Sequence, residues 1–132
     1  MIIELNKENI KEIQNTFINI SEVIKELENN PFAKYLIYKE NNEIIGYLYY
    51  SDIYDRAEIN QFEVSVSHRN CGKGKKLLKK MIETVDKSIT LEVRKDNYPA
   101  IHVYKSLGFV EKAIRKNYYK GIDGILMERI NN

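Results

Sequence analysis

One stretch constrains the chain more than any other. Residues 57–64 read as a strand, and Ser65-Val-Ser-His-Arg-Asn-Cys-Gly-Lys-Gly74 then leads into an amphipathic segment with an apolar stripe of Leu77, Leu78, Met81, Ile82 and Val85. Strand, glycine turn and helix in that order call for a sheet with a helix laid on it. Glycines permit a tight turn, and the free N–H groups of the first helical turn then converge on one spot. The helix dipole makes that spot attractive to a phosphate or pyrophosphate, and Lys73 and Lys75 add charge beside it. Lys76, Lys79 and Lys80 read as a solvated face of the same helix. No aromatics are interleaved among these lysines, as single-stranded nucleic acid would ask, and a formal net charge of +2 adds no support for a nucleic-acid partner.

The remaining residues supply the sheet. Residues 1–5 read as a short strand, and Ile10, Ile13, Phe17 and Ile20 recur at helical spacing from about residue 7. Ser21 suggests an N-cap for a second short helix that stops before Pro31. Residues 35–38 and 44–50 are strand-like, flank the Asn41-Asn42 turn, and form a meander with 57–64. Past the long helix, residues 88–94 alternate, with Ile89, Leu91 and Val93 on one side and Thr90, Glu92 and Arg94 on the other. Asn97 caps a helix with Pro99 in its first turn, and Gly108 stands where a left-handed C-cap belongs. Residues 109–118 and 124–130 are the last strands. The expected order is β-α-α-β-β-β-α-β-α-β-β, an α/β chain of the mixed-sheet (α+β) kind. No repeat or linker interrupts it, so residues 1–132 are expected to form a single domain.

Several function classes drop out. No apolar run approaches the ~20 residues of a membrane span, and Glu4 breaks the polarity of a signal peptide, so no membrane partner is expected. A single cysteine, Cys71, excludes an internal disulfide and points to the cytoplasm. His68, Cys71 and His102 do not make a zinc set, and no metal is expected. Cys71 lies beside Arg69 and Lys73, but no histidine–carboxylate pair accompanies it, which favours a backbone role in the loop over nucleophilic chemistry.

Three nucleotide-binding patterns compete for the glycine turn. A P-loop needs Ser or Thr after Gly-Lys, and Gly72-Lys73 is followed by Gly74. A dinucleotide fold needs a third glycine where Leu77 stands, although Glu92 mimics its ribose-binding acid. The third pattern, Arg-x-x-Gly-x-Gly, fits Arg69-Asn-Cys-Gly-Lys-Gly74 without a gap. This stretch resembles the acyl-CoA-binding motif of the GCN5-related N-acetyltransferase (GNAT) superfamily. Leu91-Glu-Val-Arg-Lys-Asp-Asn97 and Ala100-Ile-His-Val-Tyr-Lys-Ser-Leu-Gly-Phe109 resemble the two family elements that follow. Within the superfamily, Ile114-Arg-Lys-Asn-Tyr-Tyr119 and Asp123-Gly-Ile-Leu-Met127 are most similar to bacterial ribosomal-protein-alanine N-acetyltransferases. Val66 and His68 depart from the family pattern in the approach loop.

The resemblance implies the GNAT fold and an enzyme that transfers acetyl directly from acetyl-CoA to an amine, most plainly the N-terminal α-amine of a protein. It implies that the backbone of Phe62, Glu63 and Val64 pairs with the pantetheine arm and offers an N–H to the thioester oxygen. Asn70, Cys71, Gly72, Lys73, Gly74 and Lys75 would wrap the pyrophosphate, and Asn97 would bond the cofactor near its reactive end. Glu92 matches the general base, Tyr104 the general acid, and Tyr118 and Tyr119 the loop that covers a peptide N-terminus. The chemistry suits these types: an α-amine titrates near ~8, so a carboxylate acting through water suffices as base. The alternatives are a small-molecule or lysine-side-chain acetyltransferase, or a non-catalytic acyl-CoA-binding module.

Overall fold

A computed structural model describes residues 1–131. Seven strands form one mixed sheet: β1 (Ile2–Glu4), β2 (Ala33–Glu40), β3 (Glu43–Asp52), β4 (Arg56–Val64), β5 (Ser88–Arg94), β6 (Val110–Tyr119) and β7 (Ile122–Arg129). Three α-helices pack on it: α1 (Ile20–Asn29), α2 (Lys73–Val85) and α3 (Tyr98–Ser106). Strand order is β1-β2-β3-β4-β5-β7-β6, antiparallel except where β4 meets β5. The expected order of elements is therefore present, with one reduction. The first helical segment is a single 3-10 turn, Ile10–Ile13, because the Asn6 side chain caps the N–H groups of Glu8 and Asn9 and Asn15 takes a left-handed φ of 62°. Phe17, expected on its apolar stripe, is 41% exposed. Asn19, not Ser21, caps α1, accepting from the Glu22 N–H at 3.2 Å.

The helices sort to two faces. α2 and α3 share a core with Leu48, Ile89, Leu91, Val93, Phe109 and Met127, and the expected stripe Leu77, Leu78, Met81 and Val85 is buried in it. α1 and the 3-10 turn pack on the other face over Tyr35, Ile37, Ile44 and Tyr49. Among the described residues no helix is long and apolar enough to cross a membrane.

The parallel seam positions the site. β4 and β5 pair only from Arg56–Ser88 to Ile59–Leu91, and beyond that point the two strands part. At the parting, β4 carries a bulge: Tyr50 pairs with Ile59 but Tyr49 with Gln61, so Asn60 is the extra residue. A bulge bends its strand and ends pairing, which opens the sheet. It also places consecutive side chains on one face. Asn60 donates to Ser51 Oγ (2.8 Å) and Gln61 accepts from the Tyr47 hydroxyl (3.3 Å), both on the α1 face. Phe62 and Val64 face the α2 core.

Candidate active site

The approach loop is held at both ends. After a 3-10 turn at Val66–His68, the Arg69 guanidinium donates to the Val64 carbonyl at 2.9 Å, and His68 Nδ1 lies 2.8 Å from Ser65 Oγ. His68 is thus a loop pin. The Cys71 thiol donates to the His68 carbonyl at 2.8 Å, consistent with a structural role for that residue. Asn70 (φ 62°) and Gly72 (φ 81°) make the turn, and Gly72 is the N-cap of α2. The first intrahelical bond runs from the Lys76 N–H to the Gly72 carbonyl (3.2 Å), so the N–H groups of Lys73, Gly74 and Lys75 precede it at the positive end of the helix.

Two sequence expectations change here. Gly74 does not precede the helix but lies in its first turn, where a Cβ would stand 3.2 Å from a Val64 methyl and 3.3 Å from the Phe62 ring. The helix start is thereby laid directly against the parted end of β4. Lys73 does not extend a free charge into the turn: its ammonium lies 2.8 Å from Glu40, which also accepts from the Tyr38 hydroxyl. The Glu40 partnership raises the Lys73 pKa and lowers that of Glu40. Lys73 therefore offers the turn its backbone N–H.

On the other side of the parting, Asn97 caps α3, accepting from the Ala100 N–H at 3.4 Å, with Pro99 in the first turn and Gly108 at φ 95° past its end. Tyr104 points inward from α3, its ring 6.3 Å from that of Phe62 and 5.7 Å from that of Phe109. Burial, with a smaller push from Tyr119, raises its pKa to about 12.

Glu92 sits on the opposite face of the sheet. It lines a cleft of about 400 Å³ together with Glu58, Asn60, Arg115, Tyr118 and Tyr119. Arg115 Nε donates to Glu92 Oε1 at 2.8 Å, and the same guanidinium lies 5.3 Å over the Tyr118 ring. Glu92 Oε2 is fully shielded from solvent and has no hydrogen-bond partner, alone in this among the fully shielded side-chain oxygens and nitrogens of the described residues. A buried carboxylate oxygen left unpaired in a cleft is a place where a donor belongs. Tyr118 and Tyr119 meet edge to face at 4.8 Å, and the Tyr119 phenol feels the Glu92 charge, which adds to burial in raising its pKa.

The parted strands thus connect two compartments. The turn of residues 70–75 and Tyr104 belong with the α2–α3 face, Glu92 with Tyr118 and Tyr119 with the α1 face, and the backbone of Phe62, Glu63 and Val64 forms the edge between them. Sequence reasoning did not single out Arg115, which takes Glu92 from across β7 while Arg94 pairs with Asp96 at 3.0 Å. It also missed the bulge. The signal was there: Ile59 and Phe62 share a face at a spacing of three, which breaks strand alternation.

Residues 5–109 match the acetyltransferase (GNAT) family. The [ribosomal protein bS18]-alanine N-acetyltransferase of Haemophilus influenzae is 39% identical over 99 residues, covering 70% of this chain and 67% of that protein. The crystal structure of the ribosomal-protein-S18-alanine N-acetyltransferase from Escherichia coli superposes with a TM-score of 0.85 at 22% identity, covering 100% of this chain and 94% of that one. An acetyltransferase of Bacillus anthracis solved with acetyl coenzyme A gives a TM-score of 0.70 at 24% identity, over 79% of this chain and 65% of that one. The chain belongs to the GNAT family. It is an N-acetyltransferase with the GNAT fold.

Proposed function

We propose that the chain transfers acetyl from acetyl-CoA to the N-terminal α-amine of a protein, of the ribosomal-protein-alanine type. The observation that carries this is the unpaired Oε2 of Glu92, buried in a cleft on the α1 face while the phosphate-suited turn and Tyr104 lie on the α2–α3 face. An amine brought into that cleft finds an acceptor where no protein donor reaches. The relatives' names support a ribosomal-protein alanine as the substrate class, and the Bacillus anthracis complex supports acetyl-CoA as donor.

The residues suit the thioester. The N–H groups of Lys73, Gly74 and Lys75, with the turn at Asn70, Cys71 and Gly72, suit a pyrophosphate. The edge of β4 past Ile59, which pairs with β3 but not with β5, suits the extended pantetheine arm, and Asn97 borders it at the start of α3. The thioester supplies the acetyl group. Arg115 fixes Oε1 of Glu92, so Oε2 is aimed into the cleft and takes the amine proton directly or through water. The neutral amine attacks the carbonyl carbon, and an N–H on the parted edge of β4 stabilises the oxygen as charge builds on it. Tyr104, with a pKa pushed up to about 12, stays protonated at neutral pH. A thiolate of reference pKa near ~8.5 is a weaker base than that phenolate, so Tyr104 acts through a hydrogen bond to the departing sulfur more than by complete transfer. The lone exposed thiol of Cys71 supports a reducing, cytoplasmic setting as part of the proposal.

The test is an acceptor panel with labelled acetyl-CoA: peptides with a free N-terminal alanine, the same peptides with a blocked N-terminus and an internal lysine, and spermidine. Label on the free N-termini is expected. Label confined to lysine side chains or spermidine would overturn the acceptor class.

A further inference from the structure

A second pocket lies on the α1 face, between α1 and the aromatic surface of β2 and β3, with a volume of about 190 Å³. We propose that it is a subsite for a basic side chain, lysine or arginine, at the second or third residue of the acceptor polypeptide; this rests on the protein N-terminus being the acceptor. Glu22 and Glu26, one turn apart on α1, form one wall, and Tyr35, Tyr47 and Tyr49 form the other. Among the described residues neither glutamate makes an ion pair. Lys25 also borders the pocket, so the carboxylates outnumber the cations around it.

The aromatic wall sets phenol groups opposite the carboxylates. Tyr35 stacks on Tyr49 at 4.4 Å and 7°, and on Tyr47 at 6.4 Å and 25°, one aromatic stack across the pocket from the carboxylates. The hydroxyls of the outer two are engaged: Tyr49 donates to Glu26 at 2.7 Å and Tyr47 to Gln61 at 3.3 Å. Tyr35 is different. It is 1% exposed, it lines the pocket, and its hydroxyl has no hydrogen-bond partner among the described residues. Burial, then Tyr49 and the charge of Glu26, push its ionisation upward, so it remains a neutral phenol that can accept from an N–H donor. An ammonium or guanidinium satisfies the phenol and the two carboxylates together. A neutral side chain leaves them unpaired, and an acidic one is repelled.

The bulge joins this pocket to the Glu92 cleft. Asn60 lines the cleft and Gln61 lines the pocket, neighbours in sequence that the bulge sets on one face. From β5 to β3 is two strand spacings, about 10 Å at the usual ~4.8 Å, which an extended acceptor rising ~3.3 Å per residue crosses in about three residues.

The experiment compares peptides of equal length beginning with alanine that carry arginine, glutamine or glutamate at both the second and third positions. With the wild-type protein, kcat/KM for the arginine peptide is expected to exceed that for the glutamine peptide by about tenfold or more, mainly through KM. In Glu22→Gln, on the exposed side of α1, the ratio of the two is expected to collapse towards one. Equal kcat/KM for the three peptides, or an undiminished ratio in Glu22→Gln, would overturn the subsite while leaving the N-terminal acceptor standing. The same peptides with acetylated N-termini, titrated by calorimetry, settle the subsite even if no peptide is turned over. Preferential binding of the arginine form, lost in Glu22→Gln, supports it, and equal binding of arginine and glutamine forms refutes it.

Discussion

Replacing Gly74 by alanine sets two effects against each other. Alanine in a helix is favoured over glycine by about 1 kcal/mol, somewhat less in a first turn. The added Cβ, however, would stand 3.2 Å from Val64 Cγ2 and 3.3 Å from Phe62 Cζ, against an optimum of about 3.5–4.0 Å between carbons. Both neighbours are side-chain tips, so relief takes a few tenths of an ångström of retreat and does not unfold the helix. The retreat falls where it matters, since Phe62 leans on Tyr104 and Val64 ends the parted strand. Global stability should change by less than about 1 kcal/mol, a shift in Tm of under about 5 °C. The KM for acetyl-CoA should rise about tenfold or more, because placement errors well below 1 Å already cost affinity and rate in a site of fixed geometry. Thermal unfolding and donor titration at saturating acceptor read the two separately. Unchanged donor KM would refute the idea that glycine is there to let α2 touch β4, and a loss above about 3 kcal/mol would show that the contact is a core contact instead.

Tyr104→Phe keeps the ring contacts to Phe62 and Phe109 and removes only the hydroxyl, so kcat should fall about 10²-fold with acetyl-CoA KM within about twofold; lost donor binding with intact turnover of the bound complex would end the acid assignment. Glu92→Gln should depress the neutral-pH rate by about 10²-fold and recover in part as pH nears the amine's own value of about 8, and an unchanged pH–rate profile would remove Glu92 as base. Tyr104 and Tyr50 have pKa values raised to about 12, so the folded state holds their protons more tightly than the unfolded chain, whose phenols titrate near ~10. Their contribution is whole below pH ~10 and is lost as pH rises towards 12, about 3 kcal/mol for Tyr104 alone. Urea midpoints from pH 9 to 12, with tyrosinate absorbance, should show buried phenols ionising only with unfolding.

Much of this was legible in the chain because local chemistry dictated it. The glycine turn, the N-cap at Asn97 and the alternation of residues 88–94 each act within a few residues, and the strand Ser88–Arg94 falls where alternation puts it. The first helix was misjudged because Ile10, Ile13 and Ile20 do keep helical spacing and are drawn to the core, but the backbone between them is turned by Asn6 and Asn15. Glu92 and Tyr104 are identifiable by position, yet the opening that joins their two faces depends on where β4 and β5 stop pairing. The Arg115–Glu92 contact reaches across β7, a long-range pairing that no local pattern encodes.

The seam between β4 and β5 comprises only four residue pairs, from Arg56–Ser88 to Ile59–Leu91. The sheet is therefore two plates stitched along a short hem, and the amides just past the hem exchange hydrogen with solvent more readily than those inside it. A donor lying along the open edge would act as a surrogate strand. Its arrival should slow exchange at Phe62 and Val64, whose N–H groups point away from β3, and stiffen one plate against the other, so the reactant completes the architecture that binds it.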